Sequence, residues 1–211
     1  MKINLKETQI YLINLPEDRK RKETVFEWCK TLGFLKPVIV PGIKTEPYRV
    51  GLSQAHYNAI TLGLNSQKPF IVMEDDAFPN YEDESYVISI PDDTDAVYLG
   101  ASIDGVDYDN PFTYKDNGAS FIDINNGLLF KAVNTLTTHA ILYVSLEYAL
   151  IAAKTALDSS VKEQYIDQAF AYNLMTIYNI YFLKPFFYQN DLVKDYVIPR
   201  TKDLNPLNYL L

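Results

Sequence analysis

The chain has 211 residues, with 19 Lys and Arg against 27 Asp and Glu, a formal net charge of -8 with histidine neutral. That balance excludes a general nucleic-acid binder, which needs an excess of cations over phosphates, and it confines peripheral membrane contact to a local basic cluster. At 48% hydrophobic residues the length suits one domain with a full core.

Gln9 to Leu15 reads as a first strand, stopped by Pro16. Asp18 is a candidate N-cap for a helix over Arg19 to Leu32, with Val25, Trp28, Cys29 and Leu32 on one face. The first turns of that helix carry Arg19, Lys20, Arg21 and Lys22. Cations there oppose the helix dipole, which suggests a phosphate nearby; the alternative is a solvated basic face partnered by Glu23 and Glu27. Lys36 to Pro41 is a short second strand, and the strand–helix–strand alternation predicts a parallel α/β sheet. Ser53 is expected to cap a helix over Gln54 to Leu64, with Ala55, Ile60 and Leu64 buried and His56 in its first turn. A lone histidine in that position is more often structural than a ligand. Gly63, Asn65 and Ser66 end the helix.

Phe70 to Met73 is a buried strand that runs directly into Glu74, Asp75 and Asp76. Three adjacent acids repel one another unless a cation lies among them, and Mg²⁺ or Mn²⁺ prefers carboxylate oxygens. In open α/β sheets ligands bind beyond the carboxyl ends of the strands, where these acids fall. The competing reading is a solvated acidic turn after a core strand.

Beyond the acids, Phe78-Pro79-Asn80 reads as a turn, Tyr81 to Ser85 as an acidic segment, Val87 to Ile90 as a short strand, Pro91-Asp92-Asp93 as a turn and Asp95 to Gly100 as a strand. Residues 101 to 120 are predicted to form a long lid or acceptor-side loop. Phe121 to Ile124 and Leu128 to Val133 form a hairpin around Asn125-Asn126-Gly127. Thr137 to Val144 is a strand with a polar approach. A helix over Leu146 to Leu157 is expected to bury Leu146, Ala149, Leu150 and Ala153. A second, over Glu163 to Tyr178, turns Ile166, Phe170, Leu174 and Ile177 inward and holds Asp167 near its start. Tyr181 to Leu183 and Phe186 to Gln189 are extended around Pro185, and the tail from Pro199 has no clear period. The segment Met1 to Glu7 has no signal-peptide apolar region, and no run approaches the roughly twenty apolar residues that span a bilayer. With Cys29 as the one cysteine, an intrachain disulfide is excluded, and a cytoplasmic location is expected.

Taken in order, these stretches resemble glycosyltransferase family 25, the lipooligosaccharide β-galactosyltransferase and procollagen galactosyltransferase type. Its opening I-N-L followed by D-R…R corresponds to Ile13-Asn14-Leu15, Asp18-Arg19 and Arg21. Its G-x-x-L-S-H segment keeps Gly51 and His56 but has Ala55 for the usual Ser. Its I-x-E-D-D is Ile71-Val72-Met73-Glu74-Asp75-Asp76, one residue displaced in the apolar part. Its G-T-H-A strand is Thr138-His139-Ala140, with Thr137 replacing Gly. Its apolar-D-W is Ile166-Asp167-Gln168, without the aromatic, and its P-x-x-x-Q is Pro185 to Gln189. The resemblance spans Ile10 to Gln189.

It implies an α/β, GT-A-like (Rossmann-like) fold: a mixed, mainly parallel sheet flanked by helices, with a nucleotide-sugar half over about residues 9–100 and an acceptor half over about residues 120–190. It implies a nucleotide-sugar donor, a glycan acceptor, Mn²⁺ or Mg²⁺, and inverting transfer of a hexose, galactose or glucose, from a UDP-sugar. Asp76 and Glu74 are the expected metal ligands, since alternate strand residues share a side, with Asp75 assisting and counted among the catalytic candidates. Arg19 and Arg21 are expected at the phosphates or base. Asp167 is the candidate general base; a first-turn acid serving the helix dipole is the alternative. Asn14, His56, Thr138, His139 and Gln189 are candidate substrate contacts, with a metal-ligand or structural role for His139 as alternatives. The 17 Tyr and 11 Phe either fill the core or line a sugar groove. A metal-dependent phosphoester hydrolase and a non-catalytic carbohydrate-binding relative are the competing functions.

Overall fold

A computed structural model describes residues 1–80, 85–110, 112–184, 186–193, 196–199 and 210. The first half holds β1 (Lys2–Asn4), β2 (Gln9–Asn14), α1 (Arg19–Leu32), β3 (Val38–Pro41), α2 (Tyr48–Leu64), β4 (Phe70–Glu74), β5 (Ala77–Pro79), β6 (Val87–Ser89) and β7 (Ala96–Tyr98). The second holds β8 (Gly105–Val106), β9 (Tyr114–Lys115), β10 (Ser120–Asp123), β11 (Phe130–Asn134), β12 (Ala140–Tyr143), α3 (Leu146–Val161), α4 (Ile166–Asn173), β13 (Ile180–Phe182), β14 (Phe187–Val193) and β15 (Tyr196–Pro199).

The main sheet has eight strands in the order β10-β11-β13-β7-β12-β4-β2-β3. β2 pairs in parallel with both β3 and β4, and β13 pairs in parallel with β7. β12 enters between β4 and β7 against both, and β11 runs against β13 and β10. The sheet is therefore mixed, and all its strands except β11 and β12 share one direction. Both faces of β4 are buried because its residues alternate between two cores. Phe70 and Val72 join the side covered by α2, α3 and α4; Ile71 and Met73 join the side covered by α1. Phe70 stacks on Tyr143 with 5.1 Å between centroids, and Trp28 of α1 reaches Phe187 at 5.6 Å.

α1 forms as expected, with the Asp18 side chain accepting from the Arg21 backbone N–H and Gly33 closing it at φ 79°. α2 departs from expectation. It begins at Tyr48 after Pro47, so Ser53 lies buried inside it and His56 well past the first turn. Gly51 allows a close approach: a Cβ at that position would stand 1.9 Å from the Ile43 carbonyl oxygen. α3 extends to Val161 and turns a different stripe inward: Tyr148, Ala149, Ala152, Ala153 and Ala156 are buried, while Leu146 and Leu150 are exposed. Alanines at that spacing let two helix backbones approach closely. α4 ends at Asn173, and Ile177 beyond it is exposed.

The expected turn at Phe78-Pro79-Asn80 is mostly strand, because β5 pairs with β14. Residues 101–120 contain the small β8–β9 hairpin. In the β10–β11 connection, Asn126 and Gly127 take φ of 47° and 82°, the left-handed region such turns require. The expected segment at 81–84, Pro185 and most of the tail after Pro199 lie outside the described residues.

Candidate active site

β4 ends at Glu74, and Asp75 and Asp76 form a turn before β5. Leaving the strand breaks the alternation that would put Glu74 and Asp76 side by side, and the three carboxylates separate to different partners.

Asp75 Oδ2 accepts from Asn14 Nδ2 at 2.7 Å, and its Oδ1 pairs with Arg21 Nη1 at 3.1 Å. Arg21 Nε also lies 3.3 Å from Asp18 Oδ2. The unfavourable cation at the start of α1 is thus matched to Asp75 beyond the end of β4 and to Asp18, the cap of its own helix. Burial raises the Asp75 pKa, and Asn14 and Arg21 hold it back. Arg19, expected beside Arg21 at the phosphates, is exposed and does not line the cleft. Asn14, expected at substrate, is 3% exposed and donates to Asp75 and to the Asp18 carbonyl (2.9 Å), so both amide hydrogens are used in positioning.

Glu74 Oε1 accepts from Thr138 Oγ1 at 2.7 Å and meets His56 Nε2 at 3.1 Å. A carboxylate only accepts, so that histidine nitrogen carries the proton. Burial works to raise the Glu74 pKa, and the two donors outweigh it and hold the acid below its ordinary range. His56 is wholly buried, and its Nδ1 has no partner among the described residues.

Asp76 Oδ2 accepts from Gln189 Nε2 at 3.1 Å, while its Oδ1 is buried with no protein partner among the described residues. Burial, then the charges of Glu74 and Asp75, push this carboxyl up to about 7.

His139, a candidate substrate contact with a metal-ligand or a structural role as alternatives, is wholly buried. Its Nε2 donates to the Phe187 carbonyl at 3.1 Å and its Nδ1 is hydrogen-bonded to the Thr137 hydroxyl, so neither nitrogen is free to ligate. Burial lowers its pKa. Gly100 makes this packing possible, because a Cβ there would lie 2.2 Å from His139 Nε2.

The acids open into a cleft with two lobes. The first, of about 660 Å³, lies beyond the ends of β2 and β4 and is lined by the three acids, Arg21, Lys44 and Thr138 among others. The second, of about 610 Å³, is lined by Ser102, Asp104, Tyr114, Leu136 and Gln168. Tyr48, Thr137, Tyr165, Asp167 and Gln189 line both. Asp167, the second residue of α4, therefore stands where the lobes meet, its Oδ1 accepting from the Gln168 backbone N–H at 2.8 Å. Burial, with a contribution from Glu74, pushes its carboxyl up to about 6. Gln168, where the resembled motif carries an aromatic, faces the second lobe. Sequence reasoning missed Tyr48, Lys44, Thr45 and Tyr165, which come from irregular segments or helix ends where no periodicity marks them.

Among the described residues no group of three or more His, Cys, Asp or Glu converges to hold a metal. Both Asp75 oxygens and Glu74 Oε1 accept from protein donors, while Glu74 and Asp76 line the same lobe. The orphaned Asp76 Oδ1 does fit one hard cation, of the kind that takes one carboxylate oxygen and completes its shell with water and substrate phosphates. Among the described residues no helix is long and apolar enough to cross a membrane.

No protein-family model matches the chain, and no curated protein does. Among solved structures it is similar to the CTP:phosphocholine cytidylyltransferase of Streptococcus pneumoniae, at 11% identity and a TM-score of 0.46, over 90% of this chain and 96% of that one. At that identity and score the likeness carries no functional argument.

Proposed function

We propose that the chain is an inverting, GT-A-type glycosyltransferase that moves a hexose from a UDP-sugar to a glycan hydroxyl. The observation that carries the reading is the position of Asp167 at the junction of two lobes, only one of which holds the acid trio and Arg21. A two-substrate displacement needs a leaving-group site, an acceptor site and a base between them.

In the first lobe Arg21 and Lys44 face a diphosphate, with Asn14 and Asp75 orienting the guanidinium. Asp76 Oδ1 is the atom that would hold Mn²⁺ or Mg²⁺, whose contribution when bound is Lewis-acid neutralisation of the leaving diphosphate. Gln189 fixes the other Asp76 oxygen, and Thr138 and His56 fix Glu74. Asp167 takes the proton of the acceptor hydroxyl as the new C1–O bond forms. The C1–O(phosphate) bond breaks with its electron pair leaving on UDP, which inverts the anomeric centre. With its pKa at about 6, Asp167 is ionised and basic at neutral pH. A phosphoester hydrolase built on the same acids would need several of them free to ligate, and each already accepts from at least one protein donor.

Isothermal titration with UDP-galactose and UDP-glucose, with and without Mn²⁺, tests the proposal. The expected result is binding that Mn²⁺ strengthens at least about tenfold, as for a ligand that supplies half the coordination shell. Absent binding, or binding indifferent to the cation, overturns it.

A further inference from the structure

We infer that the second lobe of the cleft binds a neutral, hydroxyl-rich saccharide, with the Gln168 side-chain amide as its polar anchor. The inference rests on the transferase reading and names the class of acceptor.

Gln168 is 9% exposed, and its side-chain amide makes no hydrogen bond among the described residues, although the lobe it lines is open to solvent. The amide is not among the fully buried side-chain groups that lack a partner, so an occupant of the open lobe can reach it. It offers two donors and one acceptor, which matches hydroxyls that both donate and accept.

The rim is aromatic. Tyr48, Tyr114 and Tyr165 are 62%, 49% and 37% exposed, far more than rings that fill a core. Tyr48 and Tyr165 meet edge to face at 5.9 Å, and the Arg49 guanidinium lies 5.6 Å from the Tyr165 ring centroid. Arg49 is itself held by Glu163, through its carbonyl oxygen and an ion pair at 3.6 Å. The Tyr48–Tyr165 pair is therefore held in place, and the Tyr114 hydroxyl is hydrogen-bonded to Asp104 and Asp116, which leaves apolar ring faces for sugar C–H surfaces.

Charge sets the class. The formal charges lining this lobe are Asp104 and Asp167, and no Lys, Arg or His lines it. Asp104 already accepts from Asn117 N at 3.1 Å and Ser102 Oγ at 3.3 Å, so it shapes the loop and leaves its negative field in the lobe. An anionic sugar would enter against two carboxylates with no counter-charge. The first lobe differs in this respect, since Arg21 and Lys44 line it.

Saturation-transfer NMR on the whole chain tests the site, with methyl galactosides, methyl glucosides, lactose and maltose as neutral probes and sialyllactose as the anionic one. Binding of at least one neutral probe is expected, unaffected by saturating UDP, with sialyllactose giving none. Gln168→Leu is expected to weaken neutral binding about tenfold, the worth of a hydrogen bond or two, while UDP affinity stays unchanged. Gln168→Asn, which keeps the amide but shortens its reach, is expected to fall between wild type and Gln168→Leu; it carries the test if the leucine variant does not fold. Neutral binding that survives Gln168→Leu, sialyllactose binding as well as lactose, or no saccharide binding by a chain that binds UDP overturns this inference alone. Saccharide binding without UDP binding overturns the transferase reading and leaves the site standing.

Discussion

Replacing Asp167 by Asn separates catalysis from stability at one atom. The carboxyl is pushed from 3.8 to about 6, chiefly by burial. Two units at about 1.4 kcal/mol each make the ionised form cost at most about 3 kcal/mol of folding stability, and cleft water reduces that figure. The folded chain binds this proton more tightly than the unfolded one. The stability of the protonated state is therefore present below about pH 4 and is lost progressively as pH rises from 4 to 6. Asparagine cannot ionise, so the gain of the variant over the wild type grows through that window and is complete above it. Loss of a first-turn negative charge from α4 takes back about 0.3–1 kcal/mol. The net expectation at pH 8 is a gain of roughly 1–2 kcal/mol, or about 2–8 °C in Tm for a chain of this size, and none at pH 4. Over the same substitution the transfer rate is expected to fall about 10²–10⁴-fold, and the wild-type rise in kcat/KM centred near pH 6 disappears. Thermal melts at pH 4, 6 and 8 and a UDP-release assay measure both sides. A variant that transfers at the wild-type rate, or that is destabilised equally at every pH, refutes the assignment.

Asp76→Asn is expected to abolish the Mn²⁺ enhancement of UDP-sugar binding in calorimetry; retained enhancement would move the cation to another acid. Because burial raises Asp76 to about 7, the apo variant should also gain on the wild type between pH 4 and 7, by at most about 4 kcal/mol at pH 8, read from melts without metal. Arg21→Ala should weaken UDP-sugar binding about tenfold, with Arg21→Lys restoring little because a lysine cannot reproduce the guanidinium fork; equal affinity in all three proteins would remove Arg21 from the donor site. Gly100→Ala places a Cβ 2.2 Å from His139 Nε2 and 2.4 Å from the Phe187 carbonyl oxygen, and urea unfolding should show a loss of about 3 kcal/mol.

The two histidines show where sequence reading stops. Both sit in stretches that match the same resemblance, yet one serves the site through Glu74 and the other is packed between Thr137 and Phe187. A neighbour at Phe187 is invisible from position 139, because β14 reaches that place only through its pairing with β5. The helix over 48–64 starts earlier than its sequence suggests because Ser53, a good N-cap by type, is buried inside it, and Gly51 packs against the Ile43 carbonyl oxygen. On α3 the expected Ala149 and Ala153 are buried while Leu146 and Leu150 are exposed, because packing against α2 calls for small side chains.

What the chain determined by itself was local: the β2–α1–β3 succession, the Asp18 cap, the Asn-Gly turn, and a buried strand delivering three acids to its carboxyl end. Those features depend on period, capping and turn chemistry within a few residues. Tertiary structure alone decided which acid keeps a free oxygen. It brought Gln189 to Asp76 across 113 residues and Arg21 to Asp75 across 54, and it set Asp167 between two lobes. A carboxylate's role depends on which donors reach it, and here those donors arrive from strands and helices that only the order of the sheet makes neighbours.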